Sequence, residues 1–106
     1  MTNAVFMPYV LAFNRKPIEE RIGRAASYLG IAGGFDGFAK AVLDLRSRLN
    51  VPHTLPGLVK GLEMDQARRE MIAGMAVADP STGTNPVELT RQAAQMLLEK
   101  AISGAV

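Results

Sequence analysis

The sequence has no cysteine in its 106 residues, which excludes a disulfide framework, a thiolate metal site and a thiol nucleophile. It has one histidine, His53. A metal centre needs clustered donors, and carboxylates spread over the outer faces of helices do not assemble one around a single imidazole. No segment alternates apolar and polar residues with period two for long enough to read as a strand. The apolar stretch at residues 4–13 is about half of the roughly 20 residues that a membrane span requires, and no basic segment precedes it. No membrane partner is expected, and the chain reads as soluble and cytoplasmic, a compartment with which the absence of cysteine is compatible. Charge of one sign is also missing: 12 Lys and Arg stand against 10 Asp and Glu, so the pI near 9.3 reflects a small imbalance and not a basic patch, and no nucleic-acid partner is expected. Neither internal repeats nor low-complexity tracts occur.

Hydrophobic residues at 48% and charged residues at 21% match an ordinary globular composition, and the length suits one helical domain over residues 1–106. The periodicity is helical almost throughout. From Pro17, Ile18, Ile22, Ala25, Ala26 and Leu29 form one stripe, Glu19 and Glu20 suit the first turn, Glu20 can pair with Arg24, and Gly30 stops the helix. After the Gly33-Gly34 joint, Phe35, Phe38, Val42, Leu45 and Leu49 trace a second seam, ended by Asn50 and Pro52. Pro56-Gly57 permits only a turn or one short helical turn. Asp65 is expected to cap a third helix with Ala67, Met71, Ile72, Met75 and Ala78 inward, despite Gly74 inside it. Residues 79–89, crowded with Ser, Thr, Gly, Asn and Pro, read as a loop. Thr90 then caps a last helix with Ala94, Leu97, Leu98 and Ala101 inward and Gly104 as its stop.

The first segment differs, because Val5, Phe6, Met7, Tyr9, Val10, Leu11 and Phe13 cover every side of a helix, and such a helix must be enclosed. Thr2 or Asn3 is its expected cap, and Pro8 is expected to kink it. The fold class is therefore all-α, a bundle-like domain of about five helices. Four amphipathic helices cover the first only in part, so self-association or packing against further polypeptide is expected.

A search for chemistry returns little. His53, between Pro52 and Thr54, reads as a turn histidine and not as an acid, base or ligand. Ser27, Ser47, Ser81 and Ser103 lack a nucleophile signature. The run Gly30-Ile31-Ala32-Gly33-Gly34 has neither dinucleotide nor Walker spacing and follows no strand. Arg21, Arg24, Arg46, Arg48, Arg68 and Arg69 read as solvated faces, and Met64, Met71 and Met75 as core fillers. No exposed recognition helix supports a helix-turn-helix reading.

Two segments together carry a resemblance. The first is Met1-Thr2-Asn3-Ala4-Val5-Phe6-Met7-Pro8-Tyr9-Val10-Leu11-Ala12-Phe13-Asn14, and the second is Ala78-Asp79-Pro80-Ser81-Thr82-Gly83-Thr84-Asn85-Pro86-Val87-Glu88-Leu89-Thr90. They resemble the buried helix and the late Asp-Pro-x-x-x-x-Asn-Pro loop of the iron-containing alcohol dehydrogenases. The Leu29-Gly30-Ile31 helix end and the Val51-Pro52-His53-Thr54-Leu55 turn fall at the spacing of that family. The resemblance implies the carboxy-terminal helical domain of the dehydroquinate synthase-like fold, in an oxidoreductase that uses NAD or NADP and iron or zinc to interconvert alcohols and aldehydes. The family's metal ligands, an Asp and three His, lie upstream of the matched region, and none has a counterpart here. Tyr9 stands where many relatives carry His, at a position that is not a ligand. The resemblance thus implies no catalytic, cofactor-binding or metal residue in this chain and points only to Ser81, Thr82, Thr84 and Asn85 as a loop on the cleft wall, or else a well-capped connector. The expected function is the C-terminal part of a metal-dependent dehydrogenase that is inactive alone and completed by a missing N-terminal nucleotide-binding domain. The alternative is a non-catalytic interaction or oligomerisation module derived from that fold.

Overall fold

The computed structural model describes residues 1–106. Six α-helices follow one another: α1 (Thr2–Phe13), α2 (Arg15–Tyr28), α3 (Gly34–Arg48), the single turn α4 (Leu55–Leu58), α5 (Gln66–Ala78) and α6 (Arg91–Ser103). A 3-10 turn occupies Pro80–Thr84 and there is no strand. Each of the five segments with helical spacing is a helix, so the all-α class holds. α2 and α3 form one helical hairpin and α5 and α6 a second. Both pack on α1, the second through α6.

Local chemistry sets most boundaries. Asp65 accepts from Arg68 N at 2.8 Å, Thr90 from Ala93 N at 3.1 Å, and Gly104 ends α6 in the left-handed region at φ 83°, each satisfying a backbone group that a helix end leaves free. Two ends differ from expectation. α1 has Met1 at its N-cap with no side-chain cap from Thr2 or Asn3, and Met1 O instead accepts from Ala4 N and Val5 N. α2 begins at Arg15, which makes Pro17 its third residue and not its first. That position is still within the turn whose N–H groups have no intrahelical acceptor. Only Asn14 separates α1 from α2. Arg15 then fastens the first hairpin: it pairs with Glu19 and Asp36 and lies 4.7 Å over the Phe35 ring.

The core is small and centred on α1. Val5, Tyr9, Leu55, Leu97, Leu98 and Ala101 form it, with Phe6, Val10 and Phe13 partly buried at its edge. The four inward positions read for α6 are all buried. Three other faces need correction. In α5 the inward residues are Ile72, Ala73 and Ala76, whereas Ala67 and Ala78 are exposed and Met71 and Met75 are 57% and 66% exposed; these two methionines do not fill the core. Small residues win the inward face because they let α5 and α6 approach closely. In α3 the buried stripe is Phe35 and Arg46, with Ala39, Val42 and Leu43 half-buried, and Leu45 and Leu49 face out. Leu29 is exposed as well. Arg46, read as solvated, is 7% exposed.

The molecule is under-covered for its mass. A compact monomer of 11.4 kDa has about 5,800 Å² of accessible surface, and this chain has 7018 Å². Its radius of gyration of 14.6 Å exceeds the roughly 13 Å of a compact domain of this length. The surplus of about 1,200 Å² is larger than the roughly 800 Å² that each partner contributes to a standard interface.

Candidate functional site

α5 does not reach α1, and the space between them is roofed by residues 79–89. α1 supplies Val10 and Phe13, α6 supplies Leu97, and Leu89 closes the apolar floor of a groove of about 330 Å³. Ser81, Thr82, Thr84 and Asn85 form its rim. The groove continues along Asn3, Phe6 and Val10 toward Ile72, Ala73 and Ala76 of α5. The strip of α1 left bare by the two hairpins is thus the same strip that faces the loop.

The loop is held by a reciprocal amide pair. Asn14 Nδ2 donates to Asn85 Oδ1 at 2.8 Å, Asn85 Nδ2 donates to Asn14 Oδ1 at 2.8 Å, and Asn85 Nδ2 also reaches Val87 O at 2.6 Å. Asn14 is buried, so its amide has no solvent alternative. Asn85 is therefore foremost a clamp that joins the loop to the α1–α2 junction. Asn14 is not a site candidate by sequence; its one signal is its place at the end of the segment 1–14 that carries the family resemblance.

The three hydroxyls are spent inside the turn. Ser81 Oγ donates to Asp79 Oδ1 at 2.5 Å, Thr82 Oγ1 to Asp79 O at 2.7 Å and Thr84 Oγ1 to Ser81 O at 2.9 Å. Toward anything in the groove they present lone pairs only. Asp79 caps the 3-10 turn by accepting from Ser81 N as well, so the stretch read as a plain loop is an ordered turn.

The Ser81 hydroxyl and then the Ser81 N–H stabilise the Asp79 carboxylate, which holds its carboxyl below the ordinary 3.8. A group whose folded value is depressed adds order above the unfolded value and loses it as pH falls through the folded one. The turn is therefore expected to tighten above about pH 4 and to loosen only below it. The Ser81 amide shift and its exchange rate, followed from pH 6 to 2, read this directly. An Asp79 carboxyl titrating at or above 3.8 with a flat Ser81 amide would contradict the cap.

On the far side of α1, Tyr9 is fully buried and its hydroxyl donates to His53 O at 2.6 Å. Burial pushes the phenol up from 10, and the nearby Arg46 cation partly opposes that. The His53 ring lies 5.8 Å from the Tyr9 ring, with Nε2 3.0 Å from Gly104 O. His53 is thus a turn residue, as read, but with partners: it ties the end of α6 to the turn after α3. No group of three or more His, Asp or Glu side chains stands together where it could hold a metal ion, so the donors present do not fit an iron or zinc centre. No glycine loop between a strand and a helix exists to receive a pyrophosphate.

The model of the C-terminal part of the Fe-containing alcohol dehydrogenase family matches residues 1–102. The chain belongs to that family. Among curated relatives, an NADPH-dependent butanol dehydrogenase of Clostridium saccharobutylicum is 28% identical over 102 residues, 92% of this chain and 26% of the relative. A maleylacetate reductase of Rhizobium sp. (strain MTP-10005) is 30% identical over 105 residues, 98% of this chain and 26% of the relative. The chain therefore spans about a quarter of the length of these dehydrogenase-family relatives. No solved structure matches it. No helix is long and apolar enough to cross a membrane.

Proposed function

We propose that residues 1–106 are one helical domain that forms a wall of the cleft in an alcohol dehydrogenase using NAD or NADP and iron or zinc, with the metal and the dinucleotide held by polypeptide outside these residues. The observation that carries this reading is the groove along α1, with its apolar floor of Val10, Phe13, Leu89 and Leu97 and its hydroxyl rim on a clamped turn. An apolar floor suits the carbon chain of a small alcohol and excludes water from it, and a rim of hydroxyl lone pairs can accept from its O–H. The name of the NADPH-dependent butanol dehydrogenase relative points to a short alcohol and to NADPH. Ser81, Thr82 and Thr84 are positioned to select the substrate and do no chemistry themselves. A cysteine-free chain is compatible with the reducing cytoplasm in which such an enzyme would work.

The purified chain is expected neither to retain iron or zinc after extensive dialysis nor to reduce NADP or NAD with butan-1-ol, while millimolar butan-1-ol shifts the amides of residues 81–85 and the methyls of Val10. Stoichiometric metal with saturable turnover would place the active site within these residues and overturn the division proposed. Unmoved groove resonances would remove the substrate wall.

The surplus surface and the outward Met71 and Met75 favour a second reading, a helical interaction module that covers itself by self-association or by docking a nucleotide-binding domain outside these residues. Concentration-dependent dimers in sedimentation at high micromolar concentration are expected, and a strict monomer there would count against self-association.

A further inference from the structure

Arg46, near the end of α3, has almost no accessible surface and takes part in none of the ion pairs of the chain. Its Nη2 donates to Val5 O at 3.2 Å and to Pro52 O at 3.1 Å. A guanidinium carries five N–H donors and is never neutral in a protein. The other three, on Nε and Nη1, are buried without an acceptor. Nearly all buried polar atoms are paired, and an uncompensated buried cation is costlier than any neutral orphan. The two acids of the same helix are already committed, Asp36 to Arg15 and Asp44 to Lys40. Arg46 also forms part of the wall of a surface cavity of about 300 Å³ with Leu43, Ser47, Val51 and His53; its Nε and Nη1 are closed off from solvent as the side chain stands, so pairing requires the guanidinium to turn into the cavity. None of these brings a negative charge, and His53 Nε2 is occupied by Gly104 O.

We infer that Arg46 is the receiving half of an ion pair whose carboxylate comes from an acidic side chain of the polypeptide that covers this face. The inference rests on the reading that further polypeptide packs on the chain. One buried cation with no second cation beside it matches a single negative charge; a phosphate dianion would be left half uncompensated. The cavity lies at the lower end of the size range of ligand pockets, which suits a side-chain-sized group.

The test uses the whole 106-residue chain, with the Arg46 Nε–Hε resonance as readout in the parent and the backbone amides of Ser47 and Val51, which line the same cavity, as readout in the parent and the variants alike. The probes are N-acetyl-aspartate amide and sodium acetate, titrated against sodium chloride and sodium phosphate at equal ionic strength. A saturable shift with the aspartate derivative is expected, weaker with acetate and absent with chloride, and the binding should vanish in Arg46→Met. Should Arg46→Met fail to fold, Arg46→Lys keeps the cation but not the fork, and about tenfold weaker binding is expected. Tighter binding of acetate than of the aspartate derivative would assign the site to a free carboxylate and overturn the side-chain source. A shift matched by chloride, a preference for phosphate, undiminished binding in Arg46→Lys, or no saturable shift would overturn the site altogether. The Arg46 resonance is read independently of turnover, so failure of the dehydrogenase reading and failure of this one give different results.

Discussion

Gly37→Ala is expected to lower the stability of the chain by about 2 kcal/mol, although alanine is by far the better helix former. A Cβ at Gly37 would stand 1.8 Å from Ala32 O and 2.8 Å from Ala32 C. Those atoms are backbone of the turn that returns the chain from α2 to α3, and Gly37 N already donates to Gly33 O at 3.1 Å within it. No rotamer relieves such a contact, so the turn itself must shift. Overpacking of this kind costs up to about 3 kcal/mol, against which helix propensity returns about 1. Gly23, inside α2 with nothing within 4 Å of its Cβ position, is the control: there Gly23→Ala keeps only the propensity gain and should stabilise by up to about 1 kcal/mol. Urea unfolding of the three chains reads both signs. Gly37→Ala at or above the parent stability would mean that the α2–α3 turn is not held where the structure has it.

Asn85→Ala is expected to cost about 2 to 3 kcal/mol and to release the 79–89 segment, because it leaves the buried Asn14 amide without either of its partners. The loss is set more by the orphaned Asn14 than by the bonds removed. The double variant Asn14→Ala/Asn85→Ala should therefore lose less than the sum of the single changes, with a coupling of about 1 kcal/mol or more. Amide exchange of residues 81–85 should quicken in Asn85→Ala while that of α6 stays slow. Additive single effects within about 0.5 kcal/mol would show that the two amides do not form a clamp.

The second effect concerns the groove, because the clamped loop forms its rim, whereas the α2–α3 hairpin probed by Gly37 lines no part of it. The legible part of that groove was its chemistry: a turn rich in hydroxyls and a Thr-capped helix behind it. The illegible part was which residue holds the turn. Asn14 and Asn85 lie 71 residues apart, and no local pattern joins two amides at that distance.

The sequence alone determined what rests on interactions within a few residues. The Asp65 and Thr90 caps, the Gly104 stop, the Glu20–Arg24 pair and the inward face of α6 follow from hydrogen bonds and spacings complete within one or two turns. Apolar periodicity sufficed for the all-α class for the same reason. On α5 and α3, which face turns inward was decided only by tertiary structure. On α5 the bulky Met71 and Met75 outweigh Ala73 and Ala76 in any hydrophobic pattern, yet packing on α6 favours the side chains that permit close approach, and the methionines face out. On α3 the stripe Phe35, Ala39, Val42, Arg46 has sound helical spacing, but a charge at its end reads as surface until the fold places Val5 O and Pro52 O against it. Burial depends on what the rest of the chain brings up to a residue, and those contacts lie far away in sequence.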